Sequence, residues 1–122
     1  MTLRLLGASL ALWLIAGAGA LAHHSFAMFD MTKETKLEGT IKTFKWINPH
    51  AWIEINVTQP DGTEKMWAIE MTSPNNLARQ GWKRSTLKPG DKVVMVVHQL
   101  RNGDPGGSFF SVTLKDGTVM HQ

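Results

Sequence analysis

The sequence predicts an all-β domain with one short helix, because of three patterns. Side chains alternate between apolar and polar with a period of two over residues 51–58, which is typical of a strand with one buried face. Similar strand-like runs recur along the rest of the chain and are separated by turns that contain glycine or proline. One segment, residues 72–82, instead carries the start and stop signals of a helix.

The first 22 residues have the features of a secretory signal peptide. Arg4 supplies a positive charge, residues 5–18 are apolar, and Ala20 and Ala22 place small side chains at the cleavage-site positions. The apolar stretch is shorter than the roughly 20 residues that span a bilayer, so an uncleaved anchor is the weaker alternative. We therefore predict cleavage after Ala22, export to the bacterial periplasm and no membrane contact afterwards.

The mature chain would have no cysteine and a nearly balanced charge. The absence of cysteine excludes disulfides, thiolate metal sites and thiol nucleophiles. Without Arg4, 12 of the 13 basic residues remain against 10 acidic ones, a formal charge of +2. This charge is too small to indicate a nucleic-acid partner or an anionic membrane surface. A periplasmic protein partner stays open.

Residues 23–35 are predicted to be an N-terminal arm that packs along the domain. They follow no sustained period, yet Phe26, Met28 and Phe29 are too apolar for a solvated tail. The domain itself then takes residues 36–122.

The first two strands are predicted within residues 36–58, on either side of a corner at Pro49. This proline has no backbone N–H for a ladder, and it restricts the residue before it to an extended or turn conformation. The aromatic end of the first run breaks the alternation, which predicts a bulge near Lys45.

A turn at residues 59–62 leads to a third strand at residues 64–71 and then to the helix. Ser73 is the predicted N-cap, Pro74 suits the first helical position, and Gly81 ends the helix.

Further strands complete the domain. Residues 92–100 contain a nearly continuous apolar run, which is expected for a strand covered on both faces. A flexible loop follows at residues 101–108, then a fifth strand at residues 109–114 with Phe110 inward, and a short last strand at residues 119–121.

The predicted order is three strands, a short helix and two or three more strands, which is the order of a small OB-like barrel of five to six strands. A small β-sandwich is the alternative, but it explains the helix between strands three and four less well. A closed barrel is also an economical way for a cysteine-free domain of this length to build a core.

Four phrases of the sequence resemble an uncharacterised family of small exported bacterial proteins, the domain of unknown function DUF6152. In chain order they are HHSFAMFD, INPHAWIEI, SPNNLARQGW and LKPGDKVVMVVHQLRNGDPGG. The resemblance implies a single periplasmic domain, and it brings no activity, ligand or catalytic residue.

Four histidines are candidate metal ligands: His23, His24, His50 and His98. Cleavage after Ala22 would give His23 a free α-amine beside its own imidazole, and this pair of nitrogens chelates ions such as copper. His24 adds another imidazole, and His50 or His98 would complete a copper site of the histidine-brace type. The alternative is that two exposed histidines lie beside the processing site by chance.

His50 and Arg101 belong to the two loops that flank the ligand-binding face of an OB-fold. His50 follows Pro49 between strands one and two, and Arg101 begins the glycine-rich loop after His98. Ordinary turn chemistry is the alternative explanation of both loops.

Trp46 and Trp52 are the candidate ligand-contacting aromatics. By parity both fall on the face opposite the aliphatic side chains, where a ring can stack on a sugar or a base. The interpretation we favour from the sequence is that Phe26 and Phe29 of the arm cover them, because a bare pair of tryptophans would promote aggregation.

No catalytic constellation is recognisable in the sequence. Glu54 and Glu70 are single carboxylates on separate strands, and there is no phosphate loop, HExxH or dinucleotide fingerprint. We therefore predict a non-enzymatic periplasmic binding or accessory module, with copper bound through the mature N-terminal histidines. The alternative is an OB-fold module that binds a saccharide or an oligonucleotide through exposed tryptophans.

Overall fold

The computed structural model describes residues 26–122, which form one six-stranded sheet and one short helix. The elements in chain order are β1 (Thr35–Lys45), β2 (Trp52–Thr58), β3 (Glu64–Glu70), α1 (Pro74–Arg79), β4 (Lys92–Gln99), β5 (Gly106–Thr113) and β6 (Val119–His121). Within this part of the chain, no helix is long and apolar enough to cross a bilayer.

The sheet closes on itself. Its strands lie in the order β3-β2-β1-β4-β5-β6 with antiparallel neighbours, and β3 also pairs with β5 in parallel through residues 68–70 and 106–108. Five strands therefore form a ring, and β6 is an addition to β5. A five-stranded barrel with its helix between β3 and β4 has the architecture of an OB-fold. The predicted fold class is confirmed.

Gly39 lies where β1 joins both of its neighbours. It pairs with Val57 of β2 and with Val93 of β4. A Cβ atom at this position would lie 2.2 Å from the carbonyl oxygen of Asn56. Only glycine allows β1 and β2 to approach so closely here.

Alternate side chains of the strands point into the barrel and form its core. The fully buried ones include Ile53 and Ile55 of β2, Ile69 of β3, and Met95 and Val97 of β4. The predicted inward face of β2 is confirmed, because its period of two continues through the strand.

The helix also follows the predicted signals. The Ser73 side chain caps α1 by accepting a hydrogen bond from the Asn76 N–H at 3.3 Å, and Gly81 follows the helix with a φ of 90°. Leu77 and Trp82 are buried in the core, as predicted. The indole N–H of Trp82 donates to the backbone carbonyl of His121, so this segment is also tied to β6.

A bulge changes the inward face of β5. The register between β4 and β5 shifts between Val96 and Val97, which turns the side chains that follow. Phe109 is consequently buried, while Phe110 is exposed. The prediction that Phe110 points inward is wrong for this reason.

The arm lies along the end of β4. Phe29 is buried and forms an isolated bridge with Leu100, and the N–H of Asp30 donates to the carbonyl of Gln99 at 2.8 Å. These backbone contacts hold the arm at β4 and at the loop that follows it.

The C-terminal side chain closes the gap where β3 and β5 separate. The Oε1 atom of Gln122 accepts a hydrogen bond from the Thr72 N–H at 2.7 Å, and its Nε2 donates to the Phe109 carbonyl at 2.9 Å. One amide therefore bridges the end of β3 to the middle of β5.

Candidate ligand-binding face

The outer surface of β1, β2 and β3 carries one accessible tryptophan between charged side chains. Trp52 is half-buried, and its strand partners are Lys45 of β1 and Glu70 of β3. Directly paired residues of an antiparallel sheet show their side chains on the same face. We call Trp52, Lys45, Glu70, Glu54 of β2 and His50 of the β1–β2 loop the Trp52 face.

A histidine–carboxylate pair forms one end of the Trp52 face. The Nδ1 of His50 lies 2.5 Å from Oε1 of Glu70, and the two side chains are 36% and 18% exposed. The ring N–H donates, because a carboxylate accepts. Among the described residues, the Nε2 of His50 makes no hydrogen bond. A carboxylate thus orients this histidine and leaves one nitrogen free, which is also the arrangement that supports metal-binding histidines.

A second charged group lies on the same face. Glu54 contacts the Nζ of Lys45, and the Nζ of Lys42 is 4.0 Å away. The hydrogen bond from Lys45 is the main cause that lowers the pKa of Glu54, although burial opposes it. Both lysines neighbour Glu54, and counting Lys42, which lies beside the Trp52 face, two lysines and the two glutamates Glu54 and Glu70 balance in formal charge.

Trp46 is not part of this face. The register of β1 against β2 shifts between Ile41 and Thr43, earlier than the bulge expected near Lys45. After the shift, Trp46 packs against the core and meets the ring of Phe44 edge-on, with centroids 5.7 Å apart. Only Trp52 of the two candidate tryptophans lies on the outer face.

His98 is in a different place from His50. It is buried, its Nδ1 bonds to the Lys33 carbonyl at 2.9 Å, and its ring meets Phe110 edge-on. In the closed ring, one strand, β5, lies between its strand and β3, which carries the Glu70 partner of His50. His98 therefore joins the arm to β4, and the described contacts of its ring, with Lys33 and Phe110, differ from the contact that His50 makes with Glu70.

Arg101 also contacts the arm. Its Nε donates to the Ala27 carbonyl at 3.1 Å, and its backbone N–H donates to the Met28 carbonyl at 2.9 Å. In the rest of this glycine-rich loop, the amides of Gly103, Asp104 and Gly106 bond within the loop itself. These amides are therefore not free for a ligand.

The remaining candidate ligands, His23 and His24, lie outside the described residues. Within residues 26–122 no group of three or more His, Cys, Asp or Glu side chains could hold a metal ion. Among residues 26–122, the candidate metal donor is therefore the Nε2 of His50, because its ring is partly exposed and its other nitrogen bonds to Glu70.

Glu70 and Glu54 were not among the predicted site residues, because in the sequence they are isolated strand carboxylates. The hairpin turn at residues 59–62 contained the missing signal, because it sets the β2–β3 register that places Glu70 opposite Trp52.

Comparison with solved structures finds a similar fold in the crystal structure of Rim1, the mitochondrial single-stranded DNA binding protein of S. cerevisiae. The TM-score is 0.49 at 12% identity, over 74% of this chain and 97% of Rim1. This likeness indicates neither a ligand nor an activity for the present chain. No curated protein matches the sequence.

The family comparison agrees with the resemblance found in the sequence. The model of a family described as "Family of unknown function (DUF6152)" matches residues 12–109, which is most of the chain. This protein therefore belongs to the DUF6152 family.

Proposed function

We propose that the protein is an exported, non-enzymatic binding module that works in the periplasm, and that the Trp52 face is its ligand-binding surface. One observation carries the proposal: a half-buried tryptophan on the outer sheet of an OB barrel lies between two charged pairs. The indole ring can stack on a flat ligand ring, and the polar side chains beside it can hydrogen-bond the rim of that ligand.

The charge balance of the face favours an uncharged polar ligand. Binding to a nucleic-acid backbone depends on cations that neutralise phosphates. Lys42 and Lys45 both neighbour Glu54, so neither is a free cation for a phosphate. An oligosaccharide, which offers apolar ring faces and many hydroxyls, suits this surface better than an oligonucleotide.

The test is a calorimetric titration of the mature protein with cellohexaose, maltohexaose and chitohexaose. Loss of one stacked ring costs about 1–3 kcal/mol, so Trp52→Ala should weaken binding roughly 5- to 150-fold. Phe110→Ala is the matched control, because it removes an exposed aromatic from β5 instead. Equal loss in both variants would contradict the proposal. Binding to single-stranded DNA that weakens steeply with salt would favour the oligonucleotide alternative.

Copper binding at the mature N-terminus is the second candidate function. The specific observation in its favour is the Nε2 of His50, which makes no hydrogen bond within residues 26–122, while Glu70 holds the other ring nitrogen. In this proposal, the α-amine and imidazole of His23 chelate Cu(II), and His24 or His50 supplies a further nitrogen. The Irving–Williams order places Cu(II) ahead of nickel and zinc at such sites.

Two measurements test this copper candidate. A typical α-amine has a pKa of about 7.7–8.0 and must lose its proton to coordinate, so Cu(II) affinity should rise between about pH 5 and pH 8. Adding one residue ahead of His23 removes the amine from the chelate ring but keeps every side chain. If the extended protein binds Cu(II) as tightly as the mature form, the terminal chelate does not exist.

A further inference from the structure

An open groove crosses the outer surface of the barrel where β1, β4 and the end of β5 lie side by side. Its volume of about 710 Å³ is within the range of small-molecule sites, roughly 300–1,000 Å³. The charged residues that line it are three lysines and one glutamate, Lys36, Lys92, Lys115 and Glu38. The groove is therefore positively charged. We call it the lysine groove.

The positive charge of the lysine groove comes from Lys92 and Lys115. The third lysine, Lys36, is neutralised, because its Nζ lies 3.2 Å from Oε1 of Glu38. Within residues 26–122, neither Lys92 nor Lys115 forms an ion pair. Two cations of the groove are thus left without a carboxylate partner in the described part of the chain.

The register of β4 and β5 brings these two lysines together. Val94 of β4 pairs with Thr113 of β5. Two residues further along both chains, the same register places Lys92 beside Lys115, the first residue after Leu114 in the β5–β6 turn. Like charges opposite each other on neighbouring strands destabilise a sheet. An anion bound between the two ammonium groups would remove this repulsion.

The two aspartates next to these lysines in the sequence belong to turns. The Oδ2 of Asp91 accepts a hydrogen bond from the Lys88 N–H at 2.9 Å, and the Oδ1 of Asp116 accepts one from the Thr118 N–H at 2.8 Å. Both aspartates line a smaller adjoining cavity instead of the lysine groove. Their carboxylates stabilise the turns and do not neutralise the two lysines.

We propose that the lysine groove binds a phosphate group between Lys92 and Lys115. Lysine binds phosphate as a point charge, and two lysines match the two negative charges of this group. The hydroxyls of Thr40 and Thr113 line the same groove and can hydrogen-bond the remaining phosphate oxygens. A free phosphate ion and a phosphate ester present the same chemistry. This site goes beyond the proposed function, and neither proposal depends on the other.

The test is a calorimetric titration of the mature protein with inorganic phosphate and with glucose 6-phosphate, at constant ionic strength. Lys92→Gln/Lys115→Gln should weaken binding of both probes at least about tenfold, because it removes the two charges that hold the anion. Lys65→Gln/Lys83→Gln is the matched control, since it removes two exposed lysines that line neither cavity. The control variant should bind as the wild type does.

Two further readouts report on the same charges. A phosphate ester gains its second negative charge at a pKa of about 6, so affinity for glucose 6-phosphate should rise between about pH 5 and pH 7. Without phosphate, Lys92→Gln/Lys115→Gln should be at least as stable as the wild type in urea denaturation, because the repulsion is gone. This comparison also shows that the variant folds.

The outcomes separate the sources of the phosphate and the two proposals. Equal affinity for both probes assigns the free ion to the lysine groove, and tighter binding of glucose 6-phosphate assigns an ester. No saturable binding of either probe, or an equal loss in both double variants, would overturn the site. Trp52→Ala should leave phosphate binding unchanged, so a failure of the Trp52 face and a failure of the lysine groove are distinguishable.

Discussion

Breaking the hydrogen bond between His50 and Glu70 should destabilise the domain by a definite coupling energy. The variants are His50→Ala, Glu70→Ala and the double variant, which together form a double-mutant cycle. A hydrogen bond to a charged group contributes about 1.5–3 kcal/mol when it is well shielded from water. Exposed ion pairs contribute only about 0.2–1 kcal/mol. Since these side chains are 36% and 18% exposed, we expect a coupling of about 1 kcal/mol.

The assay is urea denaturation of all four proteins at one pH, followed by tryptophan fluorescence. The protein contains its own control cycle in Lys36 and Glu38, whose side chains are 64% and 68% exposed and 3.2 Å apart. That pair should show a coupling close to zero, because water screens it. If the two cycles give the same coupling, the β1–β2 loop is not held by Glu70 and the described geometry of the Trp52 face is wrong.

Three other substitutions test separate parts of the structure. Gly39→Ala should lower the free energy of unfolding by about 3 kcal/mol, the upper end of the range for overpacking, because the added Cβ would collide with the Asn56 carbonyl. A stability equal to that of the wild type in urea denaturation would refute this contact. Gln122→Ala removes two hydrogen bonds to the backbone and should lower the midpoint of thermal unfolding by about 4–8 °C for each kcal/mol lost. An unchanged midpoint would show that the barrel closes without the Gln122 side chain. The Lys45 hydrogen bond lowers the pKa of Glu54 in the folded protein. The stabilisation from this bond is therefore fully present above the pKa that Glu54 has in the unfolded chain, and it is lost as the pH falls through the lower pKa of the folded protein. Glu54→Gln should therefore be less stable than wild type at neutral pH and equal to it at strongly acidic pH, and a difference that persists in acid would contradict this sign.

The strand order and the helix were predictable because local signals determine them. Pro60, Asp61 and Gly62 make a turn of the expected kind, and the strand partners on either side, Thr58 and Glu64, are centred on it. Extending that register along the hairpin places Trp52 opposite Glu70. The sequence therefore contained the centre of the candidate site, although it showed Glu70 only as an isolated carboxylate.

The two errors in side-chain direction have the same physical cause. A bulge adds one residue to one strand and exchanges the inner and outer faces beyond it. The bulge in β1 turns Trp46 toward the core, and the bulge between β4 and β5 turns Phe110 outward. A period of two cannot show where such a residue is inserted, because the insertion depends on how the barrel closes.

The position of His98 was also hidden from the sequence. Its proximity to the glycine-rich loop suggested a shared rim with His50, but the Lys33 carbonyl of the arm takes up its Nδ1, while His50 bonds to Glu70. Long-range contacts of this kind depend on the closed topology, and a single sequence carries no local signal for them.

The most direct test of the Trp52 face is an NMR titration of the indole N–H signals. The mature chain would contain four tryptophans, and the indole N–H of Trp82 is bonded to the His121 carbonyl in the core. On addition of the oligosaccharide that binds in the calorimetric panel, we expect the Trp52 signal to shift together with backbone amides of β2 and β3. The Trp82 signal should stay in place. If the bound oligosaccharide leaves the Trp52 signal unmoved and shifts residues around Phe110 or the arm instead, the ligand-binding surface lies elsewhere on the barrel.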